Sequence, residues 1–281
     1  MGVGRTNAGG ASPVKGGAVS VAHSAGSQAM TDRGVVTLGE GRQYRLLEIR
    51  QSGTLTFDAS QLTRGILADV CICNGGQGGG RQSSNHGGQG GTLINVYGVR
   101  LQNLSVVIGA GGTGKTGVSG EGALGGISSI KRSGDANAIS APLGLGSGGG
   151  NGANESMSYA ISTRFYGDGY GKRPFGDPAY FGIHSGGGGG GGYYGIATNQ
   201  HRKGGQGGTN GGDGSYVSTG GFYGGPAGDA SAGAGGGGAS AGANAAYYGG
   251  GGGGGGVDGE DSLYGNGGNG YQGVVWVRIP A

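Results

Sequence analysis

Two stretches of this chain contain nothing but glycine, residues 186–192 and 249–256, and glycine recurs elsewhere in spaced sets such as Asn74-Gly-Gly-Gln-Gly-Gly-Gly80. No other feature restricts the fold as much. Glycine loses more backbone entropy on folding than any other residue and offers no side chain to a core. With 83 glycines in 281 residues, an ordered chain cannot rest on ordinary helices and sheets alone.

Collagen needs glycine at every third position and abundant proline. Here the spacing is irregular and there are only 6 prolines. The remaining route is a set of extended glycine helices with three residues per turn, packed side by side. Such a helix has no internal hydrogen bonds. Its N–H and C=O groups point outward and must pair with neighbouring helices. Any Cβ facing a neighbour would push the helices apart. The glycine runs are therefore expected to be the interior of the domain, with 186–192 and 249–256 as its innermost helices.

Charged residues make up 12% of the chain and the net charge is +3. That balance does not point to nucleic acid or to an anionic membrane surface. No apolar stretch reaches the eighteen or so residues of a membrane-spanning helix. The two cysteines, in Asp69-Val-Cys-Ile-Cys-Asn74, lie two apart, so on a strand both face the same way. They fit buried small apolar residues, with an intermolecular disulfide as the alternative. Two thiols alone do not close a zinc site.

Along the chain, residues 1–33 are small and polar and read as an arm or attachment segment. Residues 34–108 carry strand signals at Val35–Leu38, Tyr44–Ile49, Thr54–Phe57, Ile66–Cys73, Thr92–Val99 and Leu104–Ile108. Residues 109–281 read as a glycine-helix domain interrupted by inserts and closed by a strand at 273–279. The expected fold class is all-β or irregular: a β-rich part followed by a polyglycine helix sandwich, with little or no α-helix.

Several segments together resemble a known family. They are Gly53-Thr-Leu-Thr-Phe57, Asp69-Val-Cys-Ile-Cys-Asn-Gly-Gly-Gln-Gly-Gly-Gly80, Ser105-Val-Val-Ile-Gly-Ala-Gly-Gly112, and the terminal Asn266-Gly-Gly-Asn-Gly-Tyr-Gln-Gly-Val-Val-Trp-Val-Arg278. Over about residues 50–279 the chain resembles the glycine-rich domain of bacteriophage tail and tail-fibre proteins. It is similar also to the polyglycine-helix adhesin at the tip of T-even-like long tail fibres. That resemblance implies a virion protein, made in the host cytoplasm, whose aromatic loops bind a bacterial surface receptor, an outer-membrane protein or a glycan. Other tail proteins are the implied partners. The oligomeric state stays open, with a homotrimer among the alternatives.

Three motifs suggest other chemistry. Gly109-Ala-Gly-Gly-Thr-Gly-Lys-Thr116 satisfies the phosphate-loop pattern and follows an apolar strand. However, the glycines of residues 117–126 cannot sustain the helix whose N-terminus should face the phosphate. Gly256-Val-Asp-Gly-Glu-Asp-Ser-Leu-Tyr-Gly-Asn-Gly-Gly-Asn269 resembles one turn of a calcium-binding roll, which needs several turns in succession. A polar turn or a lone calcium on Asp258, Glu260 and Asp261 are the two readings. His23, His86, His184 and His201 have no partner at ligand spacing. We expect neither an enzyme nor a cofactor.

The insert at 154–185 holds seven of the twenty aromatic residues. Tyrosine and phenylalanine among Gly, Ser and Asn form the composition of antibody binding loops. The expected receptor-binding residues are Tyr159, Arg164, Phe165, Tyr166, Asp168, Tyr170, Lys172, Arg173, Phe175, Tyr180 and Phe181, on a loop projecting from one end of the lattice. Tyr193-Tyr194 and Tyr247-Tyr248, against the glycine runs, are expected to cap the lattice. The leading function is host attachment at a phage tail or fibre tip. The alternatives are a structural tail component without receptor contact and, less in keeping with the aromatic insert, an ice-binding surface.

Overall fold

The computed structural model describes residues 19–38, 41–62, 65–82, 86–143, 174–176, 188, 193–194, 216–217, 221–222, 240–258 and 263–281. Its strands are β1 (Val21–His23), β2 (Met30–Thr37), β3 (Gln43–Ile49), β4 (Gly53–Phe57), β5 (Leu67–Cys73), β6 (Leu93–Arg100), β7 (Leu104–Val107), β8 (Ser129–Arg132) and β9 (Ile139–Ser140). The short pairs β10 (Tyr193–Tyr194), β11 (Tyr216–Val217), β12 (Gly221–Phe222), β13 (Val257–Asp258) and β14 (Leu263–Tyr264) follow, and then β15 (Val274–Pro280). Among the described residues there is no α-helix, as the glycine content requires.

Two five-stranded antiparallel sheets form a sandwich, one in the order β1-β4-β7-β8-β9 and the other β2-β3-β15-β5-β6. Side chains of a strand alternate between faces. Leu47 and Ile49, Val70 and Ile72, and Val275, Val277 and Ile279 therefore face the first sheet, where Leu55, Phe57, Leu104, Val106 and Ile130 meet them in one core. The other face of the second sheet is also buried. It carries Leu46, Cys71, Cys73, Val274 and Trp276, with Tyr248 closing over them.

The segment expected to be an arm is folded in from residue 19 onward. Val19 is in the main core, β1 pairs with β4, and β2 starts at Met30 rather than Val35. The strand content there is carried by alternation of single apolar residues, which is a weak sequence signal against Ala and Ser. Strands and glycine segments also alternate along the chain on both sides of residue 108. β5 runs directly into the glycine segment 74–80, and 86–92 runs directly into β6.

The glycine segments form the lattice. In 74–80, Gly75 and Gly78 donate to Gly126 and Ala123; Gly76 and Gly79 donate to Tyr271 and Gly268; Gln77 and Gly80 donate to Gln89 and His86. Each third residue thus addresses the same neighbour. That period is the signature of a three-residue-per-turn helix whose successive peptide groups rotate by about 120°. The 109–115 helix donates back from Gly112 and Lys115 to Gly76 and Gly79, and the 249–256 helix from Gly252 and Gly255 to Gln77 and Gly80.

Those bonds give 74–80 five neighbours: 86–92, 249–256, 265–273, 109–115 and 120–128. They also bond to one another in that order around it, through Gly88 to Gly252, Gly268 to Gly253, Gly270 to Gly112, and Ala123 to Thr113. The packing is hexagonal, and among the described residues five of the six positions around 74–80 are filled, the sixth lying between 86–92 and 120–128. The all-glycine 249–256 helix is flanked by 74–80, 86–92, 265–273 and 240–245, and by Gly188, which packs against Gly252 and donates to Gly88 of the 86–92 helix. For 249–256 the expected interior position is found. Of 186–192 only Gly188 is described, and it is buried.

Glycine is required here by close approach. A Cβ on Gly79 would sit 1.9 Å from the Gly253 carbonyl oxygen, one on Gly76 2.0 Å from that of Gly250, and one on Gly252 2.0 Å from that of Gly268. None of these three takes a left-handed φ. Gln77, Ala110 and Thr113 share the same helices with φ negative. The helices therefore have the hand of polyproline II, which any L-residue can follow where space allows.

Candidate recognition surfaces

Three glycine hairpins leave the sandwich: 74–92, 109–128 and 249–273. At the far end of the lattice Arg81 ties the three together. Its backbone exchanges hydrogen bonds with Gly120, from Arg81 N at 2.9 Å and from Gly120 N at 3.2 Å. Its guanidinium donates to the Gly117 and Tyr264 carbonyls and lies 5.5 Å from the Tyr264 ring centre. Val118 and Leu263 stand exposed on this tip. β10 reaches it by pairing in parallel with β13.

Of the eleven residues expected to contact a receptor, Phe175 is described; the other ten lie outside the described residues. Phe175 lies against β6 on the outer face of the second sheet, away from the lattice end where the insert was expected. Its N–H donates to the Asn95 side chain at 3.0 Å, and its φ of 55° turns the chain sharply. The Arg278 guanidinium lies 4.4 Å from the Phe175 ring centre, 4.7 Å from that of Tyr44 and 5.7 Å from that of Tyr97, while its Nε donates to Asp69 at 2.9 Å. A cation held among ring faces is worth about 0.5–2 kcal/mol per contact, more as it is desolvated. Phe175 thus fixes one point of the insert to the sheet, and Tyr97 stays exposed beside it.

Tyr248 does more than cap the lattice. It joins lattice to sheet, edge-on to Trp276 at 5.9 Å and donating its hydroxyl to buried Glu48 at 2.9 Å. Arg33 Nε donates to the second Glu48 oxygen at 2.9 Å. Burial first, then the Glu48 carboxylate, pushes the Tyr248 phenol well above its usual range.

Beside the 74–80 helix, between 86–92 and 120–128, lies a cavity of about 100 Å³ lined by Gln77, His86, Gln89 and Glu121, and a second, smaller one lies by Asn74, Thr92, Leu124 and Leu143. Side-chain amides bridge the neighbouring segments here. Gln77 Nε2 donates to the Gly122 carbonyl at 3.3 Å, and its oxygen accepts from Gln89 N–H at 3.2 Å. One turn earlier, Asn74 donates to the Ala141 and Pro142 carbonyls and accepts from Ser128 N–H at 2.8 Å. Sequence reading missed these amides. Their signal is a pair of amide side chains three positions apart, Asn74 and Gln77, in an otherwise glycine segment. Burial holds the His86 imidazole below its usual range, against the opposing pull of Glu121.

The phosphate-loop pattern has another use here. Gly112 and Lys115 N–H groups donate to Gly76 and Gly79 carbonyls, Gly109 to the Ser128 hydroxyl and Gly114 to the Asn269 side chain. Amides committed in this way cannot cradle a phosphate. Glu260 and Asp261 of the calcium reading lie outside the described residues. Cys71 and Cys73 are free thiols, fully buried on the outer face of the second sheet. Burial raises both above the usual thiol range, Cys73 to about 12.

Residues 49–280 match the family described as the glycine-rich domain. The chain belongs to that family. No curated protein and no solved structure is matched. In this glycine-rich domain the matched span begins in β3 and ends in β15. It takes in every lattice helix and leaves out β1 and β2.

Proposed function

We propose that this glycine-rich domain is a phage tail or tail-fibre tip protein that attaches to the host cell surface, with the 154–185 insert as its principal contact. The observation that supports this reading most is the attachment of the insert at Phe175. Phe175 is fixed over Arg278 on the second sheet, which gives a Tyr-, Phe- and Arg-rich insert one rigid anchor. Preorganisation of that kind lowers the entropy lost on binding. Contact then rests on a few aromatic and arginine anchors, for which Phe165, Tyr166, Tyr170 and Arg164 are the candidates.

The test is adsorption of virions carrying Phe165, Tyr166 and Tyr170 all replaced by alanine. Loss of adsorption with an unchanged melting temperature supports the proposal. Normal adsorption replaces it with a second reading, a structural tail component, which the exposed Leu124, Ile127 and Leu143 along one flank of the lattice favour.

A further inference from the structure

We propose that Tyr97, on the edge strand β6, contacts the host receptor directly, so that the recognition surface extends from the insert onto the second sheet. A single exposed ring on a strand is ordinary and by itself carries no meaning. Tyr97 differs in how it is held. The register of β6 slips against β5: Val96 faces Val70 and Val99 faces Ala68, so Tyr97 and Gly98 both stand opposite Asp69. Val96 and Val99 both pack on the main core, and the extra residue between them is Gly98, with a φ of 69°. Only glycine enters that left-handed conformation without strain. Such a bulge bends an edge strand and re-aims the side chain beside it.

One carboxylate fixes both the bulge and its neighbour. Asp69 Oδ1 accepts from the Gly98 N–H at 3.0 Å, and Asp69 Oδ2 accepts from Arg278 Nε at 2.9 Å. Arg278 lies in β15, the central strand of the sheet, and its guanidinium is 5.7 Å from the Tyr97 ring centre. Of the three rings around that cation, Tyr44 is buried, Phe175 is half-buried and Tyr97 is 59% exposed. The cluster therefore runs from the covered part of the outer face to solvent, and its exposed end is Tyr97. A ring held in this way has lost much of its freedom before any contact, which lowers the entropy cost of binding. Tyrosine is also among the residues on which contacts most often depend. The same bulge interrupts the free edge of β6, so recognition there falls to side chains rather than to strand pairing.

This deepens the proposed host contact by adding a residue outside 154–185, and it rests on that reading. Virions carrying Tyr97→Ala are tested for adsorption to the propagating host beside the Phe165, Tyr166 and Tyr170 triple replacement. Melting temperature and amide exchange are measured on the purified full chain. The expected result is adsorption about tenfold weaker, or less, for Tyr97→Ala and near the parent's for Tyr97→Phe, which keeps the ring. The melting temperature should not change. The Phe175 amide, which donates to Asn95, should exchange as slowly as in the parent, because Tyr97 touches the receptor rather than supporting Phe175. Loss of adsorption with fast exchange of that amide would make Tyr97 a support of the insert and overturn the proposal. So would normal adsorption of Tyr97→Ala where the triple replacement abolishes it, which leaves the host contact standing without Tyr97. Normal adsorption of both variants would overturn the host-contact reading itself, and this proposal with it.

Discussion

Replacing Gly79 by alanine tests whether the glycines are a core or a set of linkers. The new Cβ would lie 1.9 Å from the Gly253 oxygen and 2.4 Å from its carbonyl carbon. A comfortable C···O separation is about 3.3 Å, so 74–80 and 249–256 must part by about 1.4 Å. The bonds from Gly252 to Gln77 and from Gly255 to Gly80, both 2.9 Å, would then stretch to about 4 Å and cease to be hydrogen bonds. Leaving buried polar groups unpaired costs about 1–3 kcal/mol at each of the two sites. The expected loss is therefore about 2–6 kcal/mol, a large part of the roughly 5–15 kcal/mol that holds a domain together. Gly34→Ala is the control. Its φ is +68° with nothing within 4 Å of the added carbon, so it should lose only the left-handed backbone penalty of about 1–2 kcal/mol. Urea unfolding of both variants gives the comparison. A Gly79→Ala protein that fails to fold, or loses at least twice what Gly34→Ala loses, fits the lattice. Equal or smaller loss would refute it.

Asn74→Ala should cost about 3 kcal/mol in urea unfolding, because it leaves buried carbonyls and the Ser128 N–H without partners. Lys115→Ala should leave stability nearly unchanged, and millimolar ATP with magnesium should not raise the melting temperature; a ligand-dependent rise would restore the phosphate-loop reading. Stability should also fall at alkaline pH. The Cys73 thiol is raised to about 12 by burial, so above about pH 8.5 the unfolded chain releases a proton that the folded chain keeps, and the loss grows until the pH passes about 12. Unfolding midpoints at pH 8 and pH 10.5 should differ, and Cys73→Ala should reduce that difference.

The innermost helix was legible because a run of pure glycine admits only a packing in which side chains are excluded. The long strands were legible too, since β3, β5, β7 and β15 combine β-branched or aromatic residues with alternation. β8 was not, because Ser129-Ile-Lys-Arg132 buries Ile130 alone from an otherwise polar run. β1 was hidden in the same way. The interleaving of sheet and lattice could not be read from composition, since it depends on β15 inserting between β3 and β5 across more than two hundred residues. The bridging roles of Asn74 and Gln77 were hidden because both look like ordinary polar interruptions until the register of the adjacent helices is known. Tyr248 was expected to cap the lattice, and its place against the second sheet was hidden because its partner Glu48 is 200 positions away.

Hydrogen exchange of the glycine amides bears most directly on the claim that the lattice is the rigid core presenting the recognition surfaces. Loops exchange through local fluctuations, whereas core elements exchange only by global opening. The amides of Gly76, Gly79, Gly112, Gly252 and Gly268 each donate to a neighbouring glycine helix. They should be protected as strongly as the amides of Val275 and Val277 in the central strand of the second sheet. Exchange of those glycine amides at the rate of an open chain, while β15 stays protected, would contradict the account.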